Sequence, residues 1–162
     1  MEILLSELIC GKDLPDILLR GISADSRKIK KGELFVSLSG RKYEGNDFIS
    51  DALSRGAAAV ITEKPAVKDN KTDLPIFCLP NLRKDLGKYA SRFFGFPSQN
   101  MQIIALTGTN GKTSVTDLFY QILKLHNKPV ASIGTLGVKF NGKFIKTKLT
   151  SPDTISIHQI LE

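Results

Sequence analysis

The chain has 162 residues, room for one well-packed domain or two small ones. Hydrophobic residues at 41% and charged residues at 24% are ordinary globular values, and no apolar run approaches the length of a membrane span. The net charge of +7 admits an anionic partner, but the densest basic cluster, Arg27 to Lys31, is short and has no interleaved aromatics to stack on bases, which argues against nucleic acid.

The first residues, MEILLSELICGKDLP, lack a basic leader and carry Glu2 and Glu7, against a secretory signal. Cys10 and Cys78 lie far apart in apolar surroundings and read as two reduced core thiols of a cytosolic protein. No Cys or His spacing suggests a zinc site. The basic run 27–31 reads as a solvated loop.

LFVSL (34–38) is a short apolar strand, and the turn-rich SGRKYEGND follows it. Asp47 is placed to cap a helix over FISDALSRG, with Phe48, Ile49, Ala52 and Leu53 on one face and Gly56 to end it. AAAVIT (57–62) and PIFCL (75–79) read as buried strands joined by a polar loop. Asn81 is placed to cap a second helix, LRKDLGKYASRFF, whose stripe is Leu82, Leu86, Tyr89, Ala90 and Phe93; Gly95 and Pro97 stop it. The Gly, Pro, Ser and Asn of 95–102 mark a domain boundary.

IIALT (103–107) is apolar without alternation, as a strand buried on both faces is. GTNGK is a turn. The following helix carries Val115, Leu118, Phe119, Ile122 and Leu123 at helical spacing. VASIG (130–134) is a second strand, which predicts a right-handed βαβ unit. Asn141-Gly142 predicts a hairpin over 136–147. A last helix starts after Ser151-Pro152-Asp153.

The junction of strand, glycine turn and helix is the candidate site. Gly108 and Gly111 let backbone N–H groups approach anionic oxygens, the helix N-terminus adds partial positive charge, and Lys112 and Thr113 supply a cation and a hydroxyl for the phosphates and a magnesium ion. The general phosphate loop would have a first glycine where Leu106 stands. Taken alone, Gly-Thr-Asn-Gly is also a plain strand-to-helix turn.

The stretch TGTNGKTS resembles the ATP loop of the Mur ligases, the amide-forming enzymes of peptidoglycan synthesis. Upstream, ADSRKIKKGELFVSLSGRKYEGNDFISDALSRGAAAVI resembles their N-terminal pattern, and Ile133-Gly134-Thr135 with Leu149-Thr150-Ser151-Pro152-Asp153 resembles segments of the branch acting on UDP-N-acetylmuramoyl-L-alanyl-D-glutamate (MurE type), with the MurF type second. The resemblance implies an α/β fold: a small N-terminal substrate-nucleotide domain over residues 1–97, then the opening of a P-loop ATPase domain over 98–162. It implies that Gly108, Thr109, Asn110, Gly111, Lys112, Thr113 and Ser114 hold ATP, with Lys112 on the phosphates as the catalytic cation and Thr113 on Mg²⁺. Ser26 would contact the UDP part of the substrate, and Thr150 and Ser151 the muramoyl-peptide side. Ser26 also reads as a turn or cap residue, and Arg41, Lys42 and Tyr43 as a solvated loop or a uridine-side contact. His126 and His158 receive no role.

The implied reaction is ATP-dependent joining of a diamino acid, either meso-diaminopimelate or lysine, to UDP-MurNAc-L-Ala-D-Glu through an acyl phosphate. The resemblance also implies a cytoplasmic monomer that neither binds nucleic acid nor inserts in a membrane. In the family the central domain continues well beyond position 162, so a truncated ligase is expected. The alternatives are a non-catalytic UDP-precursor or ATP-binding remnant and a MurF-type fragment.

Overall fold

The computed structural model describes residues 1–11, 13–40, 44–65, 75–140, 142–145 and 152–162. Their contacts form two units, Met1–Asn100 with Thr154–Glu162, and Met101–Asp153.

The first unit is built on short apolar runs. Strand β1 (Ile3–Leu4) leads into the four-residue helix α1 (Leu5–Leu8) and pairs antiparallel with β2 (Leu18–Leu19). Strands β3 (Gly21–Ser23), β4 (Glu33–Ser37), β5 (Ala59–Thr62) and β6 (Ile76–Cys78) form a parallel sheet in that order. The alternation of side chains along a strand explains why β4 and β5 show no polar residues between their apolar ones. Leu34, Val36, Ala59 and Ile61 enter one core, while Phe35 and Val60 enter the core on the other face.

Helix α2 (Ile49–Ser54) covers the second face through Ile49 and Ala52. Asp47 does not cap it: a 3-10 turn over Gly45–Phe48 runs straight into the helix, which makes Phe48 the N-cap residue. The turn holds Asp47 inside itself, with its N–H donating to the Glu44 carbonyl. Gly56 ends the helix with φ of +92°, donating to the Leu53 carbonyl.

Helix α3 (Leu82–Phe93) buries Leu82, Leu86, Ala90 and Phe93 of the expected stripe on the first face, while Tyr89 is only half-buried against them. Asn81 stands at its N-cap but makes no side-chain cap bond; its carbonyl accepts from Asp85 instead. Gly95 and Phe96 end the helix with φ of +69° and +56°, and a 3-10 turn over Pro97–Asn100 follows. The cysteines are free but exposed, not core. Cys78 is the last residue of β6, which ends the sheet order, and Cys10 follows α1; neither is enclosed by a neighbouring element.

In the second unit α4 (Lys112–Leu125) precedes an antiparallel meander of β7 (Ala131–Gly134), β8 (Gly137–Phe140) and β9 (Lys143–Ile145). The β8–β9 hairpin is the expected one, with Phe140 opposite Lys143 and Gly142 at φ of +75°. The βαβ expectation fails. Residues 103–107 run without a strand ladder and stand exposed, and β7 pairs with β8 rather than with them. An apolar run records a preference for burial, whereas a ladder needs a partner strand that local sequence does not name.

Helix α4 forms as expected but turns a different face inward. Tyr120 is buried, with Thr116, Asp117 and Leu123 half-buried beside it. Val115, Leu118, Phe119 and Ile122 of the apolar stripe are 41–60% exposed. The short meander makes contact through the Tyr120 edge, where Lys139 reaches both the Tyr120 ring and the Asp117 carboxylate.

The helix expected after Asp153 is α5 (Thr154–Leu161). The sequence grouping places it with residues 98–162, but it lies against α3 in the first unit. There Ile155 is 5% exposed in the same core as Leu86 and Ala90.

Candidate nucleotide-phosphate site

The second unit positions the loop 108–114 at the start of α4. Gly108 has φ of +145° and Gly111, the N-cap, φ of +78°, both in the region that favours glycine. With Gly111 in that conformation the chain turns into the helix, and the Gly111 carbonyl accepts its first bond, from Val115. The N–H groups of Lys112, Thr113 and Ser114 precede that bond, so they are the free donors of a helix N-terminus and face solvent with its partial positive charge. Residues 108 to 114 are all exposed, as an anion entering from solvent requires.

Lys112 folds back over this turn. Its Nζ donates to the Gly108 carbonyl and lies 3.5 Å from the Thr109 carbonyl. The ammonium is thereby held over the loop by weak neutral acceptors, which a phosphate oxygen would replace with a stronger, charge-assisted bond.

A cleft of about 230 Å³ opens beside the loop. Lys112, Thr113, Thr116 and Asp117 of α4 line one wall; Ser132, Thr135, Gly137 and Lys139 of β7, β8 and their turn line the other. The Thr113 and Thr135 hydroxyls are 2.9 Å apart across it. One turn further along α4, Asp117 pairs with Lys139 and accepts from Gln121 at 2.6 Å. Lys139, and after it Gln121, hold the Asp117 carboxyl below the usual range.

The first unit places the other predicted residues. Ser26 is buried at the start of a 3-10 turn over Ser26–Lys28. The Asp51 carboxylate of α2 is held below its ordinary range, with the Ser26 hydroxyl as the first cause. Asp25 caps the turn by accepting from the Arg27 N–H at 3.1 Å, and it holds the Arg27 guanidinium through two bonds of 2.9 Å. Those side-chain bonds lead the causes that lower its own pKa. Asp-Ser-Arg is thus a self-braced turn, in which Ser26 is a turn residue and Asp25 the cap. Arg27 and Lys28 are exposed as expected of the basic run, while Ile29 is buried beneath them. Thr150, Ser151, Arg41, Lys42 and Tyr43 lie outside the described residues. His126 is the C-cap of α4, and His158 Nδ1 lies 2.8 Å from the Thr154 carbonyl one turn back.

Sequence reasoning missed a polar rim. The four parallel strands end in Ser23, Ser37, Thr62 and Cys78, small polar residues at the carboxyl edge where open α/β sheets take ligands. Ser37 and Thr62 are buried and both reach Asn46 Oδ1. A hydroxyl or thiol closing each apolar run was the available signal.

Residues 106–162 match the family model described as the Mur ligase middle domain, and residues 18–93 the one described as the Mur ligase family, catalytic domain. The chain belongs to the Mur ligase family. Curated Mur ligases similar to it include the UDP-N-acetylmuramoyl-L-alanyl-D-glutamate--2,6-diaminopimelate ligases of Pseudomonas putida and Aquifex aeolicus. The first is 42% identical over 90% of this chain and 30% of its own length; the second is 39% identical over 93% and 31%. A solved structure of a ligase with the same name superposes with a TM-score of 0.79 at 27% identity, over 99% of this chain and 33% of that one. MurF ligase from Thermotoga maritima in complex with ADP superposes with a TM-score of 0.54 at 31% identity, over 72% and 25%. The chain thus spans about a third of the length of these Mur ligases.

Proposed function

We propose that this protein provides the substrate-nucleotide and ATP-phosphate elements of a ligase that joins 2,6-diaminopimelate to UDP-MurNAc-L-Ala-D-Glu with cleavage of ATP. The observation that carries the reading is the loop 108–114, where two left-handed glycines deliver three free N–H groups, Lys112 and Thr113 to one exposed point. The choice of 2,6-diaminopimelate over lysine follows the names of the similar ligases.

In this reading residues 1–97 hold the UDP end of the substrate and residues 98–162 begin the ATP-binding domain. The N–H groups of Lys112 to Ser114 and the Lys112 ammonium neutralise the phosphate oxygens as charge builds on the transferring phosphoryl group. Thr113 fits a magnesium ion. Its hydroxyl is exposed beside the phosphate position, and Mg²⁺ is ordinarily held by one or two protein oxygens, substrate phosphates and water. Among the described residues no cluster of three acidic, His or Cys side chains supplements it. When bound, the ion would draw charge from the phosphate oxygens. Thr150 and Ser151 would meet the muramoyl-peptide side, and Ser26 the UDP side. The protein acts in this reading as a cytoplasmic monomer; among the described residues no helix is long and apolar enough to cross a membrane.

The test is ADP release by the 162-residue chain given ATP, Mg²⁺, UDP-MurNAc-L-Ala-D-Glu and 2,6-diaminopimelate. Release that needs all of them supports a ligase. Saturable binding of both nucleotides without release supports the non-catalytic remnant. No binding of either nucleotide overturns the proposal.

A further inference from the structure

We propose that Thr135 is a positioning residue for the Thr113 hydroxyl, fixing the direction in which Thr113 presents its lone pairs to a divalent cation on the nucleotide phosphates. The inference rests on the reading of residues 108–114 as a nucleotide loop.

A threonine hydroxyl has one proton and two lone pairs. To serve a cation it must turn its lone pairs toward the ion and its proton elsewhere. The Thr135 hydroxyl lies 2.9 Å away, where either hydroxyl can donate to the other, so it offers an acceptor for this proton once a cation claims the Thr113 lone pairs. With Thr113 donating to Thr135, both Thr113 lone pairs are left for the cleft. Without Thr135, the Thr113 proton is free to rotate into the position the cation needs.

The backbone around Thr135 is suited to hold a direction. Thr135 and Leu136 form a two-residue turn between Gly134 and Gly137, which face each other across the β7–β8 ladder. Gly137 has φ of +110°, and a Cβ there would come within 2.5 Å of the Ile145 carbonyl oxygen, so the turn is pressed closely onto β9. The Asp117–Lys139 ion pair ties α4 to β8 one turn beyond Thr113. The ion pair thus holds α4 to β8 and the hydroxyl pair holds it to the turn, with the hydroxyl pair nearer the loop 108–114.

The experiment is calorimetric titration of ATP into the wild-type chain, Thr135→Val and Thr135→Ser, each with Mg²⁺ and with EDTA. Valine keeps the shape of threonine without its hydroxyl, and circular dichroism checks that each variant keeps the wild-type fold. The expected result is that Thr135→Val loses about tenfold of the affinity gained from Mg²⁺, about 1.4 kcal/mol. Its affinity in EDTA should stay within about twofold of wild type, and Thr135→Ser should restore the Mg²⁺ gain. An unchanged Mg²⁺ gain in Thr135→Val, or equal losses in Mg²⁺ and EDTA, would overturn the positioning role alone. Absence of ATP binding by the wild type would overturn the nucleotide-loop reading and the inference with it.

Discussion

The side-chain oxygen of Asn46 lies 2.8 Å from the Thr62 hydroxyl, joining the turn that precedes α2 to the carboxyl end of β5. The same oxygen accepts from Ser37 at the end of β4, 2.9 Å away. Thr62 can donate to the Lys64 carbonyl instead, but Ser37 is 2% exposed and, among the described residues, its hydroxyl donates to Asn46 alone. Asn46→Ala should therefore destabilise the first unit by about 1–2 kcal/mol, the cost of a buried hydroxyl left unpaired. Urea unfolding followed by circular dichroism measures it, and a change below about 0.3 kcal/mol would contradict the clamp.

Leu34 and Leu118 are both leucines of apolar stripes, yet Leu34 is fully buried and Leu118 is 60% exposed. Leu34→Ala should cost about 2–5 kcal/mol through lost burial and a residual cavity. Leu118→Ala should stay within about 0.5 kcal/mol. Equal losses in urea melts would show that the outer face of α4 is covered in solution.

Gly111 enters α4 with φ of +78°, and a Cβ there would meet no atom within 4 Å. The barrier to Gly111→Ala is therefore conformational, about 1–2 kcal/mol for a non-glycine residue in the left-handed region. If the observed turn is the binding conformation, ATP affinity should fall about tenfold with little change in the urea midpoint of the first unit. Wild-type affinity in this variant would show that the loop binds in another conformation.

Asp25, Glu44, Asp51 and Asp117 all have carboxyls held below their ordinary range. The leading causes are bonds from Arg27, Ser39, Ser26 and Lys139 respectively. A carboxyl whose folded pKa is depressed contributes stability that is fully present above its unfolded value and lost as pH falls through the folded value. The melting temperature should thus hold between about pH 7 and 5 and decline below about pH 4, where the unfolded carboxyls begin to bind protons. The decline should be modest, since solvent screens these surface groups. A melting temperature that rises on acidification to about pH 3 would contradict the assignment.

Much of the first unit is legible in the sequence because its signals are local. The run Leu34 to Ser37 and the spacing of Leu82, Leu86, Ala90 and Phe93 each state a burial pattern that neighbouring elements satisfy. The glycines of the loop 108–114 are legible for the same reason, since Gly111 is required by its own dihedral angle. What the sequence hides is pairing. Residues 103–107 carry a strand's composition without a ladder, and β7 turns back on β8 through Thr135 and Leu136. The Thr113–Thr135 contact and the Asn46 clamp span 22 and 16 positions, and only the folded backbone brings their members together.

Titration of ATP with Mg²⁺ into the 162-residue chain and its Lys112→Ala variant tests the nucleotide loop most directly. The expected result is saturable binding at one site by the wild type and at least about a tenfold loss in Lys112→Ala, the worth of a charge-assisted bond to phosphate. Absence of saturable binding, or equal affinity in the two proteins, would contradict it.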